Sequence, residues 1–107
     1  MSQLLNLNSS FDKEVLEQKG LYLIDFWAPW CRYCIMLEPT LESLASDFHN
    51  KGLRVVKVNV DDTPEIAQRY GVMSLPTLKL FKDGKELDVE IFDRDEESLK
   101  ELIKKYL

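Results

Sequence analysis

Strand-like and helix-like patterns alternate along this chain in the order β-α-β-α-β-α-β-β-α, and that order predicts an α/β fold. Three observations carry the prediction. Apolar runs recur between stretches of 3.6-residue apolar periodicity, the arrangement that right-handed parallel crossovers require. The pair Asp83-Gly84 between the last two strands marks a hairpin, which adds an antiparallel edge. A length of 107 residues fits one compact domain, residues 1–107, with one hydrophobic core. The expected architecture is a central mixed sheet of about five strands flanked on its two faces by four helices.

The elements follow in order. Leu4 to Leu7 reads as a short first strand. Ser9 or Ser10 can cap a helix that turns Phe11, Val15 and Leu16 inward, and Gly20 ends it. Leu21 to Trp27 is a mostly apolar strand, followed by a long helix from Cys31 to about His49 with Leu37, Leu41, Leu44, Ala45 and Phe48 at helical intervals. Pro39 falls inside that helix and is expected to kink it. Arg54 to Val60 has the β-branched content of a central strand. Pro64 opens a short helix with Ile66, Ala67 and Tyr70 inward, and Gly71 closes it. Thr77 to Lys82 is the fourth strand. The fifth is expected to alternate Leu87, Val89 and Ile91 against Asp88 and Glu90. Asp95 caps a last helix with Leu99, Leu102, Ile103 and Tyr106 on one stripe.

Charge and hydropathy narrow the function classes. A formal net charge of −5 argues against nucleic-acid binding through a general basic surface. No apolar run approaches the roughly 20 residues that cross a bilayer, and residues Met1 to Asn6 lack the basic start and apolar core of a secretory signal. The expected location is the cytoplasm, where two close cysteines point to catalysis or metal binding rather than to a structural staple.

Those cysteines, Cys31 and Cys34, are the only two in the chain. Their spacing lets both sulfurs meet on one turn, as a short disulfide or as half of a metal site. Cys31 sits where a strand ends and a helix begins. Unpaired N–H groups and the helix dipole stabilise an anion there, so its thiol is expected to ionise below the roughly 8.5 of a free thiol. Arg32 adds a positive charge beside it. Cys31 is expected to be the exposed sulfur, and Cys34, one turn inside, the more buried and the more neutral of the two. Four zinc ligands would be needed, and beyond the cysteines the chain offers only His49, fifteen positions on, so no metal site is expected. Asp25, between Ile24 and Phe26, reads either as a strand-edge residue reaching water or as a buried carboxylate, and its apolar strand favours burial.

The stretch Asp25-Phe26-Trp27-Ala28 with Trp30-Cys31 and Cys34, then Pro39, Lys57 with Asn59 and Asp61, Tyr70-Gly71-Val72, Leu75-Pro76-Thr77 and Phe81-Lys82-Asp83-Gly84, resembles the thioredoxin family almost end to end. The resemblance implies a thioredoxin fold and a protein-disulfide reductase with no bound cofactor. The redox centre would be the Cys31–Cys34 disulfide, with Cys31 as nucleophile and Cys34 as resolving thiol. It implies that Asp25 is a buried carboxylate that takes a proton from Cys34, and that Lys57 is its charge partner. Pro76 would be a cis proline facing the cysteines, with Trp30 an exposed aromatic wall. Substrate contacts would come from Trp30, Arg32, Tyr33, Met73, Leu75 and Pro76. Implied partners are protein disulfides and a thioredoxin reductase that supplies electrons to a monomer.

The departures bear on specificity. Arg32-Tyr33 stands where the family usually has Gly-Pro, Ile35 replaces a usual lysine, and Ser74 and Phe92 stand at common glycine positions. An arginine that stabilises the thiolate makes the couple more oxidising, so a disulfide oxidase or isomerase of the same fold is one alternative. Another is a non-catalytic interaction module using Trp30, Ile35, Met73 and Pro76.

Overall fold

A computed structural model describes residues 3–107; Met1 and Ser2, where the expected domain begins, lie outside the described residues. Five strands form one mixed sheet in the order β1-β3-β2-β4-β5. They are β1 (Leu4–Asn6), β2 (Leu21–Trp27), β3 (Leu53–Asn59), β4 (Thr77–Lys82) and β5 (Lys85–Glu86). β3 lies parallel between β1 and β2, whereas β4 runs antiparallel to β2 and β5 antiparallel to β4. Three α-helices, α1 (Arg32–Phe48), α2 (Pro64–Arg69) and α3 (Glu96–Tyr106), and one π-helical segment (Asp12–Leu16) supply the four helices.

The period-2 alternation of β2 and β3 sorts two cores onto two faces. Leu21, Leu23, Val55 and Leu80 pack with Leu37, Leu41, Leu44 and Phe48 of α1 and Leu99 and Ile103 of α3. Ile24, Phe26, Val56, Val58 and Phe81 pack on the other face with Phe11, Val15 and Ile66. On that face Tyr70 meets Phe81 edge-on, with ring centroids 5.2 Å apart. Asp25 shares the parity of Leu23, and Lys57 that of Val55. Both therefore point to the face that α1 covers.

The predicted first helix takes the π form. Glu14 accepts from the backbone N–H groups of Asn8, Ser9 and Ser10, and the Ser10 hydroxyl accepts from Lys13 N. α1 runs through Pro39. The hairpin turn carries positive φ at both Asp83 (52°) and Gly84 (81°), and a Cβ on Gly84 would come within 2.0 Å of the Leu16 carbonyl oxygen. Asp95 caps α3 by accepting from Ser98 N at 3.1 Å.

One element differs from expectation. The fifth strand stops at Glu86 rather than continuing through Ile91. Leu87 N still donates to Leu80 O, but Val89 N turns back to Leu87 O, which ends the ladder. Leu87 and Ile91 nevertheless pack on the core while Asp88 and Glu90 face water. The alternation reported one-sided burial, not strand pairing.

Candidate active site

β2 delivers its C-terminal end, Trp27, to a short loop that turns into α1, and Cys31 is the residue that caps the helix. Its backbone is extended (φ −87°, ψ 105°) and its N–H donates to Ala28 O at 3.0 Å. Its Sγ accepts from Cys34 N at 3.2 Å, so a free amide in the first turn of α1 is aimed at this sulfur. Cys31 and Cys34 are joined as a disulfide with Cα atoms 5.3 Å apart. Cys34 is 1% exposed and Cys31 7%. The asymmetry runs in the expected direction, but Cys31 is not the exposed sulfur that the sequence suggested. Ala28, Trp27, Val60 and Leu75 pack around the pair and leave only a window.

Beneath α1, Asp25 is fully buried, and neither carboxylate oxygen has a hydrogen-bond partner. Burial pushes its pKa from an ordinary 3.8 up to about 7; Lys57 and Arg94 pull it down, while Glu38 pushes it further up. Lys57 lies opposite Asp25 in the β2–β3 register. Its charge acts on Asp25 through the field, as the lowering of the Asp25 pKa shows, but the ammonium makes its direct ion pair elsewhere. It is bound to the carboxylate of Glu38 on α1 and sits 3.7 Å above the Trp27 ring centre. The side chain of Glu38 is 30% exposed and can still reach water, which makes it the easier anion for the ammonium to hold.

The rim is aromatic and open. Trp30 is 71% exposed, its indole N–H donating to the Asp61 carboxylate at 3.1 Å. The Leu75–Pro76 peptide is cis. Tyr33 of α1 reaches a groove that it lines with Met36, Leu37, Thr40, Pro76 and Arg94. Arg94 donates from Nη2 to the Pro76 carbonyl oxygen at 2.9 Å. Of the six expected contact residues, Tyr33 and Pro76 line this groove and Trp30, Arg32, Met73 and Leu75 do not; Arg32 is exposed on the first turn of α1, and Met73 is almost wholly in solvent at 96% exposure.

Glu38, Asp61 and Arg94 were not singled out as site residues from the sequence. Glu38 had a signal, since it follows Cys34 by four residues and so shares its helix face. Arg94 had none, because the path of the loop that carries it is set by tertiary packing. Among the described residues no group of three His, Cys, Asp or Glu side chains is placed to hold a metal ion. Among them, too, no helix is long and apolar enough to cross a membrane.

Comparison with known proteins agrees with this geometry. The Thioredoxin family profile matches residues 3–105. The chain is 44% identical over 100 residues to a thioredoxin of Bacillus subtilis, covering 94% of this chain and 93% of that one. It is 39% identical over 100 residues to thioredoxin 1 of a Nostoc species, covering 94% and 92%. A solved structure of a mutant thioredoxin from Halobacterium salinarum superposes with a TM-score of 0.83 at 37% identity, covering 96% of this chain and 89% of that structure.

Proposed function

The chain belongs to the thioredoxin family and is a protein-disulfide reductase with a redox-active disulfide; from that premise we propose a two-step exchange with named roles for its residues. In the reduced protein the Cys31 thiolate attacks one sulfur of a protein disulfide. The substrate S–S bond breaks, a mixed disulfide forms, and the other substrate sulfur leaves as a thiolate that takes a proton from solvent. Cys34 gives its proton to Asp25 and attacks the Cys31 sulfur. The substrate's second thiol is released, and the Cys31–Cys34 bond holds the oxidising equivalents. A dithiol donor, a thioredoxin reductase in this reading, returns two electrons. Lys57 biases Asp25 towards its anion through the field it exerts across the β2–β3 pair. Trp30, Tyr33, Leu75 and Pro76 flank the substrate segment, with Arg32 and Met73 as outlying contacts. The protein acts in the cytoplasm as a monomer.

The observation that carries this reading is the Cys34 N–H aimed at the Cys31 sulfur on the first turn of α1. With Arg32-Tyr33 where Gly-Pro is usual, the couple is more oxidising than the roughly −270 mV characteristic of thioredoxins, without becoming an oxidase. Two experiments test it. Cys31→Ser abolishes disulfide reduction, while Cys34→Ser accumulates a mixed disulfide with a model protein substrate. Adduct formation by the Cys31→Ser protein instead would reverse the roles. Equilibration against glutathione tests the direction of use: a potential near roughly −180 mV or above would assign an oxidase or isomerase.

A further inference from the structure

The loop between β5 and α3, with the first residue of α3, carries five acidic residues and one arginine: Asp88, Glu90, Asp93, Asp95 and Glu96 with Arg94. Ordinary surface electrostatics would pair that arginine locally. It does not pair. Asp95 is engaged in capping α3, and Glu96 holds Lys100 at 3.0 Å and accepts from the Ser43 hydroxyl. No carboxylate lies within ion-pair distance of the Arg94 guanidinium among the described residues. One of its N–H groups is tied to the Pro76 carbonyl. A guanidinium has five donors in a rigid fork, so this tether holds the group at the groove wall and leaves donors for a ligand. The same groove is otherwise walled by Tyr33, Met36 and Pro76, with Tyr33 and Met36 73% and 62% exposed.

We propose that Arg94 is a specificity-determining residue that selects disulfide substrates with a carboxylate side chain close to the attacked cysteine. The proposal rests on the reading that Cys31 attacks a substrate segment lying along Pro76. A carboxylate there would accept a forked pair of charge-assisted hydrogen bonds from Arg94 while the substrate's apolar neighbours cover Tyr33 and Met36. The chain as a whole carries −5 and repels acidic partners at a distance. The selection is therefore local: it prefers one acidic residue in a particular place over a generally acidic substrate. Arg94 acts on substrate choice at the groove wall, and it reaches the exchange chemistry only through the field by which it lowers the Asp25 pKa.

The test uses the pre-reduced full chain and two synthetic peptides, each closed by one disulfide and identical except for Glu or Gln next to the attacked cysteine. Rates are measured at low and high salt. The expected result is that the Glu peptide is reduced about fivefold faster at low salt, a preference that shrinks as salt screens an exposed pair. Arg94→Gln removes the preference, read as the ratio of the Glu-peptide rate to the Gln-peptide rate, in which any change common to both through Asp25 cancels. Arg94→Lys retains part of it, since a point charge replaces the fork. Arg94→Glu turns the preference towards a third peptide with Lys at the same position, which a merely misfolded groove could not do. Equal rates for the Glu and Gln peptides in the native chain, or a preference that survives Arg94→Gln, overturn the proposal. Failure to reduce any of the peptides would instead overturn the placement of Cys31 and the groove on which it stands.

Discussion

β2 and β3 are two seven-residue strands with the same burial pattern, and each carries one buried charged residue in the same place, yet the two residues have opposite fates. Asp25 and Lys57 face each other in register and both lie under α1. Lys57 has a complete environment, with Glu38 binding its ammonium and the Trp27 ring beneath it. Asp25 has no hydrogen-bond partner for either oxygen. The difference is one of reach. Lysine has a long stem and can carry its charge to a half-open carboxylate on the neighbouring helix. Aspartate has one methylene and stays where the strand leaves it. The unsatisfied buried carboxylate titrates near neutrality. The fold thereby holds the Lys57 ammonium on Glu38 beside a carboxylate that can exchange a proton.

Replacing the unsatisfied member breaks this contrast most strongly. Asp25→Asn removes the group that is neutral in the folded chain up to about pH 7 and ionised in the unfolded chain above 3.8. Because its folded pKa is raised, the native protein binds the extra proton, and stability falls as pH rises from about 4 to about 7. The variant lacks that fall. At pH 8 it is more stable than the native chain by about 2 kcal/mol, allowing for an amide that still lacks partners. Chemical denaturation at pH 5 and pH 8 reads this directly, and equal pH slopes in the two proteins would remove the buried-acid account. The same variant slows release of the mixed disulfide and loses the rise in that rate through about pH 7.

Removing the satisfied member has a smaller effect of opposite electrostatic sign. Lys57→Met takes away the cation that lowers the Asp25 pKa, so its titration moves above about 7 and resolution at neutral pH slows. Carboxyl NMR titration of Asp25 checks it, and a downward move would contradict the assignment. Glu38→Gln works the other way, since it removes an anion that raises the Asp25 pKa and frees Lys57 to turn towards Asp25. The pH dependence of resolution then shifts to lower pH, and an unchanged profile would mean that Glu38 serves packing alone. The smallest effect belongs to Trp27→Phe, which keeps a ring under Lys57 but weakens its cation–π contact by about 0.5 kcal/mol. A small stability loss with an unaltered pH profile is expected, measured by thermal unfolding.

Legibility in the sequence followed the range of the interactions involved. The turn at Asp83-Gly84, the cap at Asp95 and the placement of Cys31 at a helix start depend on neighbours a few residues away, and each is present at its predicted position. The short fifth strand was not legible, because Leu87, Val89 and Ile91 alternate equally well in an extended segment that has left its partner. Lys57 was legible as a charge acting on Asp25 but not as the ammonium that Glu38 binds, since nothing local says which of two nearby carboxylates its stem will reach.

The order of local patterns along 107 residues was enough to indicate an α/β fold, and the cysteine pair at a strand-to-helix junction narrowed its chemistry to a redox disulfide or a metal site, between which the family resemblance chose. Periodicity and helix-end electrostatics act within a turn or two, so they can be read without coordinates. Packing α1 across β2 and β3 decided the rest. It left Asp25 without partners, gave Lys57 to Glu38 and narrowed access to Cys31, while the loop into α3 brought Arg94 to Pro76 from 18 residues away. These are contacts between segments distant in sequence, and they are set by the space that remains once the two cores are filled.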